Sequence, residues 1–331
     1  MSKADLCHTS RSEPLPLPDN LRSVQPGGGR CYRLELGWGW LRRWYLRRFR
    51  AGYVRRMAEL RRGDATGAPH EILDPRDLKY CANQCTAHWA AEHDPFRWRE
   101  RLPLARWGLA ELFIMGVPLA ALTALLLAAP GLVRIAAVVP ATLLALVAYF
   151  FRDPSRRVPS EAGFLVAPAD GKLVEIAQLD DDPFIGGPAV RFGVFLSIFN
   201  VHINRAPERA RVLELRYRPG EFLNALDPQS ALRNEALWIG LEADVPPHRR
   251  MVVRQISGLI ARRIVCALRP GQVVERGEKF GMIKLGSRTE LIVPAEGLQV
   301  RAKLGDRLKA GSTVLAQYPI NTESTGNGAS A

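Results

Sequence analysis

Gly271-Gln272-Val273-Val274-Glu275-Arg276-Gly277 and Gly305-Asp306-Arg307-Leu308-Lys309-Ala310-Gly311 follow one pattern: glycine, five residues, glycine, then an apolar run. Glycine accepts the backbone angles of a tight turn, and the apolar run after it reads as a short strand. Between the two copies lies Lys284-Leu285-Gly286-Ser287-Arg288-Thr289, which leads into the strand-like Glu290-Leu291-Ile292-Val293-Pro294. Taken alone, a Gly-Ser bond between strand-like runs is an ordinary turn. It is also a dipeptide in which a serine can attack the unhindered carbonyl before it and convert itself into a pyruvoyl group. Residues elsewhere in the chain have to decide between these readings.

The pattern extends on both sides. From Arg152 to about Gln317, short β-branched runs alternate with Gly, Pro and Asp, as at Gly163–Val166, Ala189–Leu196, Arg211–Tyr217 and Met251–Ile256. The expectation is a mainly β (α+β) fold with few long helices. Two glycine-bounded hairpin units closing a small sandwich resemble lipoyl- and biotinyl-carrier-like domains, so residues 152–318 are read as one barrel-sandwich-like domain.

Upstream the character changes. Leu109 to Ala129 is apolar except for Glu111, Leu132 to Phe151 is apolar except for Arg134, and Ala129-Pro130-Gly131 is a turn signal between them. Each run has about the 20 residues that a helix needs to cross a bilayer. Arg97, Arg99, Arg101 and Arg106 precede the pair, and Arg152, Arg156 and Arg157 follow it. Positive charge on both flanks predicts a hydrophobic helical hairpin over 107–151 with both ends, and the domain after it, on the cytoplasmic side of the inner membrane. Two full spans and a monotopic hairpin kinked at Pro118 and Pro140 both fit.

Residues 1–40, rich in Pro, Gly, Ser and charge, are expected as a disordered tail, as are residues 319–331. Met1-Ser2-Lys3-Ala4-Asp5 has no apolar run after it, so no cleavable secretory signal is expected. Residues 41–106 read as a basic N-terminal extension. Within it, Leu41 to Arg62 holds nine arginines, with Leu41, Tyr45, Phe49, Tyr53, Met57 and Leu60 at helical spacing. A helix of this kind suits the headgroup layer of an anionic membrane; a solvated helix and a nucleic-acid-binding helix are the alternatives, and the adjoining hairpin favours lipid over nucleic acid. The net charge of +13 points the same way, and residues 1–106 supply +8 of it, from 20 Lys+Arg against 12 Asp+Glu. Five cysteines without regular spacing argue against a disulfide scaffold, and Cys81, Cys85 and His88 do not complete a standard zinc pattern, so no metal is expected.

Singly, the candidate chemical groups are unremarkable residues. His202 follows an apolar strand in Phe199-Asn200-Val201-His202-Ile203-Asn204-Arg205, and Asp170 sits in a Pro-Ala-Asp-Gly turn. Arg262 and Arg263 are adjacent on a strand-like run, so one should point inward and require an anion.

Together they form an order with a known counterpart. Phe150-Phe151-Arg152-Asp153-Pro154, PADG at 168–171, FNVHINRAP at 199–207, RPGEFLNA at 218–225, GLIARRIV at 258–265, RGEKFGMIKLGSR at 276–288 and GDRLKAGSTVLA at 305–316 resemble the short, archaeal-type form of the phosphatidylserine decarboxylase proenzymes. The resemblance covers about Phe150 to Ala316. It implies a membrane enzyme that converts phosphatidylserine to phosphatidylethanolamine with a covalent pyruvoyl group as electron sink. It further implies self-cleavage between Gly286 and Ser287 into a β chain of 1–286 and an α chain of 287–331, with His202 as base and Asp170 as its partner. His202 would later protonate the product, and Arg262 and Arg263 would hold the lipid phosphate. Longer members carry two histidines three apart in this segment; here Arg205 stands three after His202, so either His202 serves both steps or another group activates Ser287. A homodimer of processed chains is compatible with this reading. The alternative is a membrane-tethered barrel-sandwich adaptor without catalysis, which should carry a modifiable lysine at a hairpin tip; Lys284, the nearest, lacks that setting.

Overall fold

The computed structural model describes residues 11–224, 227, 229–259, 263–284 and 286–319. Its β domain follows from the alternation of apolar and polar residues in the second half of the chain. The first strands are β1 (Phe164–Val166), β2 (Gly171–Asp182), β3 (Gly187–Leu196), β4 (Ile203–Arg205) and β5 (Ala210–Arg218). They are followed by β6 (Ala236–Ala243), β7 (Arg250–Ser257), β8 (Arg263–Cys266), β9 (Val273–Val274) and β10 (Lys279–Lys284). The last four are β11 (Ser287–Pro294), β12 (Gln299–Val300), β13 (Arg307–Leu308) and β14 (Val314–Gln317). Eight strands form one sheet in the order β13-β2-β3-β11-β7-β6-β5-β9, and β1-β14-β12 and β4-β10-β8 form two small sheets. Phe192, Val194, Leu215, Leu237, Val253 and Leu291 meet in one core with almost no exposure. This is the mainly β fold expected, and both glycine-bounded units contribute strands to it, β9 from the first and β13 from the second.

The hydrophobic hairpin consists of α3 (Leu109–Ala128) and α4 (Val138–Phe150), joined through a short 3₁₀ turn at Gly131–Ala137. By length and composition the segments Arg106–Ala128 and Gly131–Phe150 could each cross a membrane, and few of their residues are buried. That weakly favours association with a membrane. Pro118 lies inside α3, but Pro140 falls in the first turn of α4, where a missing N–H costs no helical hydrogen bond. The two ends of the hairpin close on each other: Ala105 N–H donates to Phe151 O at 2.7 Å and Asp153 N–H to Pro103 O at 2.8 Å. Gly108 permits this, because a Cβ there would stand 2.0 Å from the Phe151 ring. Phe150 and Phe151 then enter a second apolar cluster with Val24, Val201, Ile203, Val265 and Met282, which fastens the hairpin to the β domain.

The N-terminal part departs from expectation. Residues 11–29 are not a loose tail. Leu15 N–H donates to Leu213 O, Val24 N–H to Tyr80 O and Cys266 N–H to Val24 O, and Leu21 and Val24 are buried. Proline rules out a regular helix there, yet the extended segment still offers apolar side chains and backbone groups to the sheet. The basic helix begins earlier than its arginine run, as α1 (Arg30–Phe49), directly after three glycines, and breaks at Arg50 before α2 (Ala51–Leu60). Trp38, Trp40, Trp44 and Phe49 remain exposed on α1, whereas Arg43 turns inward to Asp77. Cys81 and Cys85 pack in a small apolar cluster with Ile72 and Ala87. The first ten and last twelve residues of the expected tails lie outside the described residues.

Candidate active site

Ser287 opens β11 at the centre of the large sheet, with Leu196 of β3 opposite it on one side and Ser257 of β7 on the other. It is fully buried, and its Oγ has no hydrogen-bond partner among the described residues, which is also true of Ser257 Oγ. A buried hydroxyl without a partner costs about 1–3 kcal/mol, so the sheet carries an unfavourable arrangement at this point. Gly286 before it has φ +62°, a left-handed conformation that strains any residue with a side chain. Leu285 lies outside the described residues.

His202, the residue just before β4, is 1% exposed. Gly286 N–H donates to His202 Nε2 at 3.1 Å, and the other ring nitrogen, Nδ1, is 2.9 Å from the Asn200 carbonyl. A carbonyl can only accept, so Nδ1 carries the proton and Nε2 presents its lone pair to the Gly286 N–H. Burial pushes the imidazole pKa down to about 4, so the ring is neutral near pH 7 and able to take a proton. Phe150, the last residue of α4, lies over the ring with centroids 4.5 Å apart, so the hairpin itself covers this histidine.

Asp170 is bound elsewhere. Its carboxylate accepts from Arg156 at 2.7 Å and from the Ala310 N–H at 2.8 Å, and burial raises its pKa. In this arrangement the Asn200 carbonyl, two residues before His202, holds the imidazole in place of the expected Asp170. Arg205 is structural: it donates to Gly277 O and pairs with Asp153, which also binds Lys279. Arg262 lies outside the described residues. Arg263, half-buried, runs beside Gly29, and its charge acts on the Glu235 carboxylate.

The surrounding polar groups hold the strands in place. Beneath the site, Asn204 Nδ2 donates to Thr289 Oγ1 at 3.1 Å and Gln255 Nε2 to Asn204 Oδ1 at 2.8 Å. Beyond Ser287, Arg288 bridges Glu175 and Glu290, and Arg254 binds Glu290 at 2.7 Å. Lys284, 5% exposed, forms an ion pair with Glu111 in the first turn of α3 and donates to Gln25 Oε1 at 3.2 Å. The sequence reading missed Glu111, Gln25, Asn200 and Ser257 as neighbours of this site. Only Glu111 carried a signal, as the single acid in an apolar run, because a carboxylate at the edge of a span needs a partner.

Chemically, a neutral imidazole reaches the Gly286 N–H from 84 residues away in the chain, and the buried Ser287 hydroxyl directly follows the Gly286 carbonyl. These are a base and a nucleophile of the kind that a peptide-bond rearrangement would need. A sequence profile of the family described as Phosphatidylserine decarboxylase matches residues 143–316. The chain is 53% identical over 244 residues to the phosphatidylserine decarboxylase proenzyme of Rhodopirellula baltica, an alignment covering 73% of this chain and 99% of that protein. Proteins of the same name from Salinibacter ruber and Chlorobaculum tepidum are 44% and 43% identical, over 57% and 59% of this chain and 82% and 88% of theirs.

Proposed function

The chain belongs to the phosphatidylserine decarboxylase family of proenzymes, carboxy-lyases, and from that premise we propose that it decarboxylates phosphatidylserine to phosphatidylethanolamine after cutting itself between Gly286 and Ser287. The observation that carries this reading is the buried Ser287 Oγ, without a partner among the described residues, beside a glycine whose N–H rests on a neutral His202. Ser287 Oγ attacks the Gly286 carbonyl carbon, a C–O bond replaces the C–N bond, and the freed nitrogen takes up a proton. His202 Nε2 accepts the hydroxyl proton once it lets go of the Gly286 N–H. Loss of the Ser287 α-proton then expels Gly286 as a carboxylate, and water replaces the nitrogen of residue 287, releasing ammonia. The β chain is 1–286 and the α chain 287–331.

A pyruvoyl group at residue 287 would supply the carbonyl that takes up the electron pair left when carbon dioxide departs. Gly286 and Ser287 fit its formation: the carbonyl is unhindered, and the site is buried enough to exclude bulk water. His202 stays close to that position and returns a proton to the α-carbon, a general-acid step. Asp170, through Arg156 and the Ala310 N–H, positions the turn before β2, and Arg262 with Arg263 is assigned to the lipid phosphate. The hairpin, residues 107–151, and the basic extension hold the catalytic domain, residues 152–318, against the cytoplasmic face of the inner membrane, where anionic lipid is concentrated.

Intact-mass measurement of the purified chain tests this directly. Two chains are expected, the smaller one lacking a free amine at its first residue, whereas Ser287→Ala stays a single chain and releases no carbon dioxide from phosphatidylserine. A Ser287→Ala chain that still splits at this bond overturns the assignment.

A further inference from the structure

The N-terminal extension encloses a cavity for which the proposed reaction has no use. It lies between α1, the turn through Asp77 and Tyr80, and the first turns of α3, and its volume is about 810 Å³. That is within the range of small-molecule pockets. Its walls differ in chemistry. Leu112 and Phe113 of α3 and Trp38 of α1 form an apolar side. This side is continuous with the bare surface of the hairpin, for Phe113 and Trp38 are 68% and 63% exposed. Around the rest stand six cationic side chains against the two carboxylates of Glu35 and Asp77.

Most of these cations are already paired. Arg42 and Arg43 share Asp77, Arg76 binds Asp74, Lys79 binds Glu35, and Arg106 binds Glu100. Two donors are left over. Arg99 forms no ion pair with a carboxylate among the described residues and lies against the rings of Phe96 and Trp98. Burial, together with the nearby Arg76, Arg106 and Arg42, holds its pKa below the usual arginine value, a sign of cations crowded without enough anion. Arg42 Nε is buried with no acceptor among the described residues. An unpaired buried donor and an unanswered guanidinium are each unfavourable until an anion arrives.

We propose that this cleft binds one anionic glycerophospholipid, with its phosphodiester on Arg99, Arg106 and Arg42 and an acyl chain along Leu112 and Phe113, apart from the site around Ser287. Guanidinium groups match phosphate oxygens in a two-pronged geometry. The cleft sits where the candidate span from Arg106 begins, the depth of the headgroup layer. A zwitterionic head group brings no net charge to offset the surplus, and inorganic phosphate leaves the apolar wall bare. The site goes beyond the general attraction of a basic surface to a charged membrane, since it fixes one lipid in one place.

The full-length Ser287→Ala chain in neutral detergent serves as the test protein, because it reports binding without processing or turnover. Dihexanoyl phosphatidylglycerol, dihexanoyl phosphatidylcholine and inorganic phosphate are titrated in turn, with the fluorescence of the tryptophans lining the cleft as readout. Phosphatidylglycerol is expected to saturate one site, with the other two at least tenfold weaker. Arg99→Gln and Arg106→Gln should each weaken it about tenfold, and Arg99→Lys should recover part of the loss. The paired change Arg47→Gln and Arg48→Gln, on the exposed side of α1, should leave it unchanged. Equal binding of phosphatidylcholine or phosphate, unaltered affinity in the cleft variants, or an equal loss in the Arg47 and Arg48 variant overturns the proposal.

Discussion

Two apolar populations of this chain meet opposite surroundings. In the β domain Phe192, Leu237 and Ile256 are wholly buried, whereas in the hairpin Leu125 and Leu132 are 70% and 82% exposed. Both are driven from water by the same effect. The sheet answers it by folding on itself and on its small partner sheets. Among the described residues the hairpin has no protein partner of comparable area, and its bare apolar surface weakly favours association with a membrane. The candidate active site lies on the seam between them. His202 and Ser287 belong to the β domain, while Phe150 over the imidazole and Glu111 on Lys284 come from the hairpin. A site built this way takes its surroundings from both the sheet and the hairpin.

The strongest way to break that comparison is at the seam. Phe150→Ala removes a buried ring from the contact between α4 and His202, and a loss of about 4 kcal/mol in stability is expected. Measured on the full-length chain in detergent, self-cleavage should also slow at least tenfold. A variant that splits at the parent rate would show that the hairpin does not support His202.

Acid sharpens it next. The folded-state pKa of His202, about 4, is below its ordinary value of about 6.5, so as pH falls the unfolded chain takes up the proton first. Stability tied to the neutral ring is therefore intact above pH 6.5 and is lost progressively between 6.5 and 4, on the order of 3 kcal/mol in all. Asp170, whose carboxyl burial raises, acts in the opposite direction. Denaturant titrations of the Ser287→Ala chain with and without His202→Gln isolate the imidazole: the difference between them should shrink or reverse as the solution is acidified. A constant difference from pH 7 to pH 4 would contradict this.

The smallest effect belongs to the far end of the hairpin. Leu125→Ala, on a side chain that faces outward, should change the stability of the full-length chain in detergent by less than about 0.5 kcal/mol and leave self-cleavage alone. A loss comparable to that of Phe150→Ala would mean that Leu125 is covered by protein, as in an assembly of several chains.

Much of this was legible one residue at a time. Two apolar runs of about 20 residues separated by Pro130-Gly131 announce a hairpin, because length and hydropathy are properties of a segment. Period-two alternation and spaced glycines announce the strands for the same reason. Pairings were harder to read. Asp170 was expected beside His202, but its carboxylate is held by Arg156 and the Ala310 N–H, while Asn200, two residues from His202, supplies only a backbone carbonyl, a group that every residue has. Residues 11–29 have the composition of a tail, and composition does not reveal that the sheet leaves a strip for Leu21 and Val24 to cover.

The amino-acid sequence by itself determined which groups are available: a Gly-Ser bond, one histidine in an apolar setting, an apolar pair of helices and an excess of arginine. Those are covalent facts and local preferences, and they survive any arrangement of the chain. Tertiary structure set which groups meet: Gly286 N–H on His202, Glu111 on Lys284 across 173 residues, and Arg99 in a cleft whose two carboxylates are bound by other cations. Contacts over such separations depend on how the whole sheet closes and where the hairpin docks, and no short stretch of sequence carries that information.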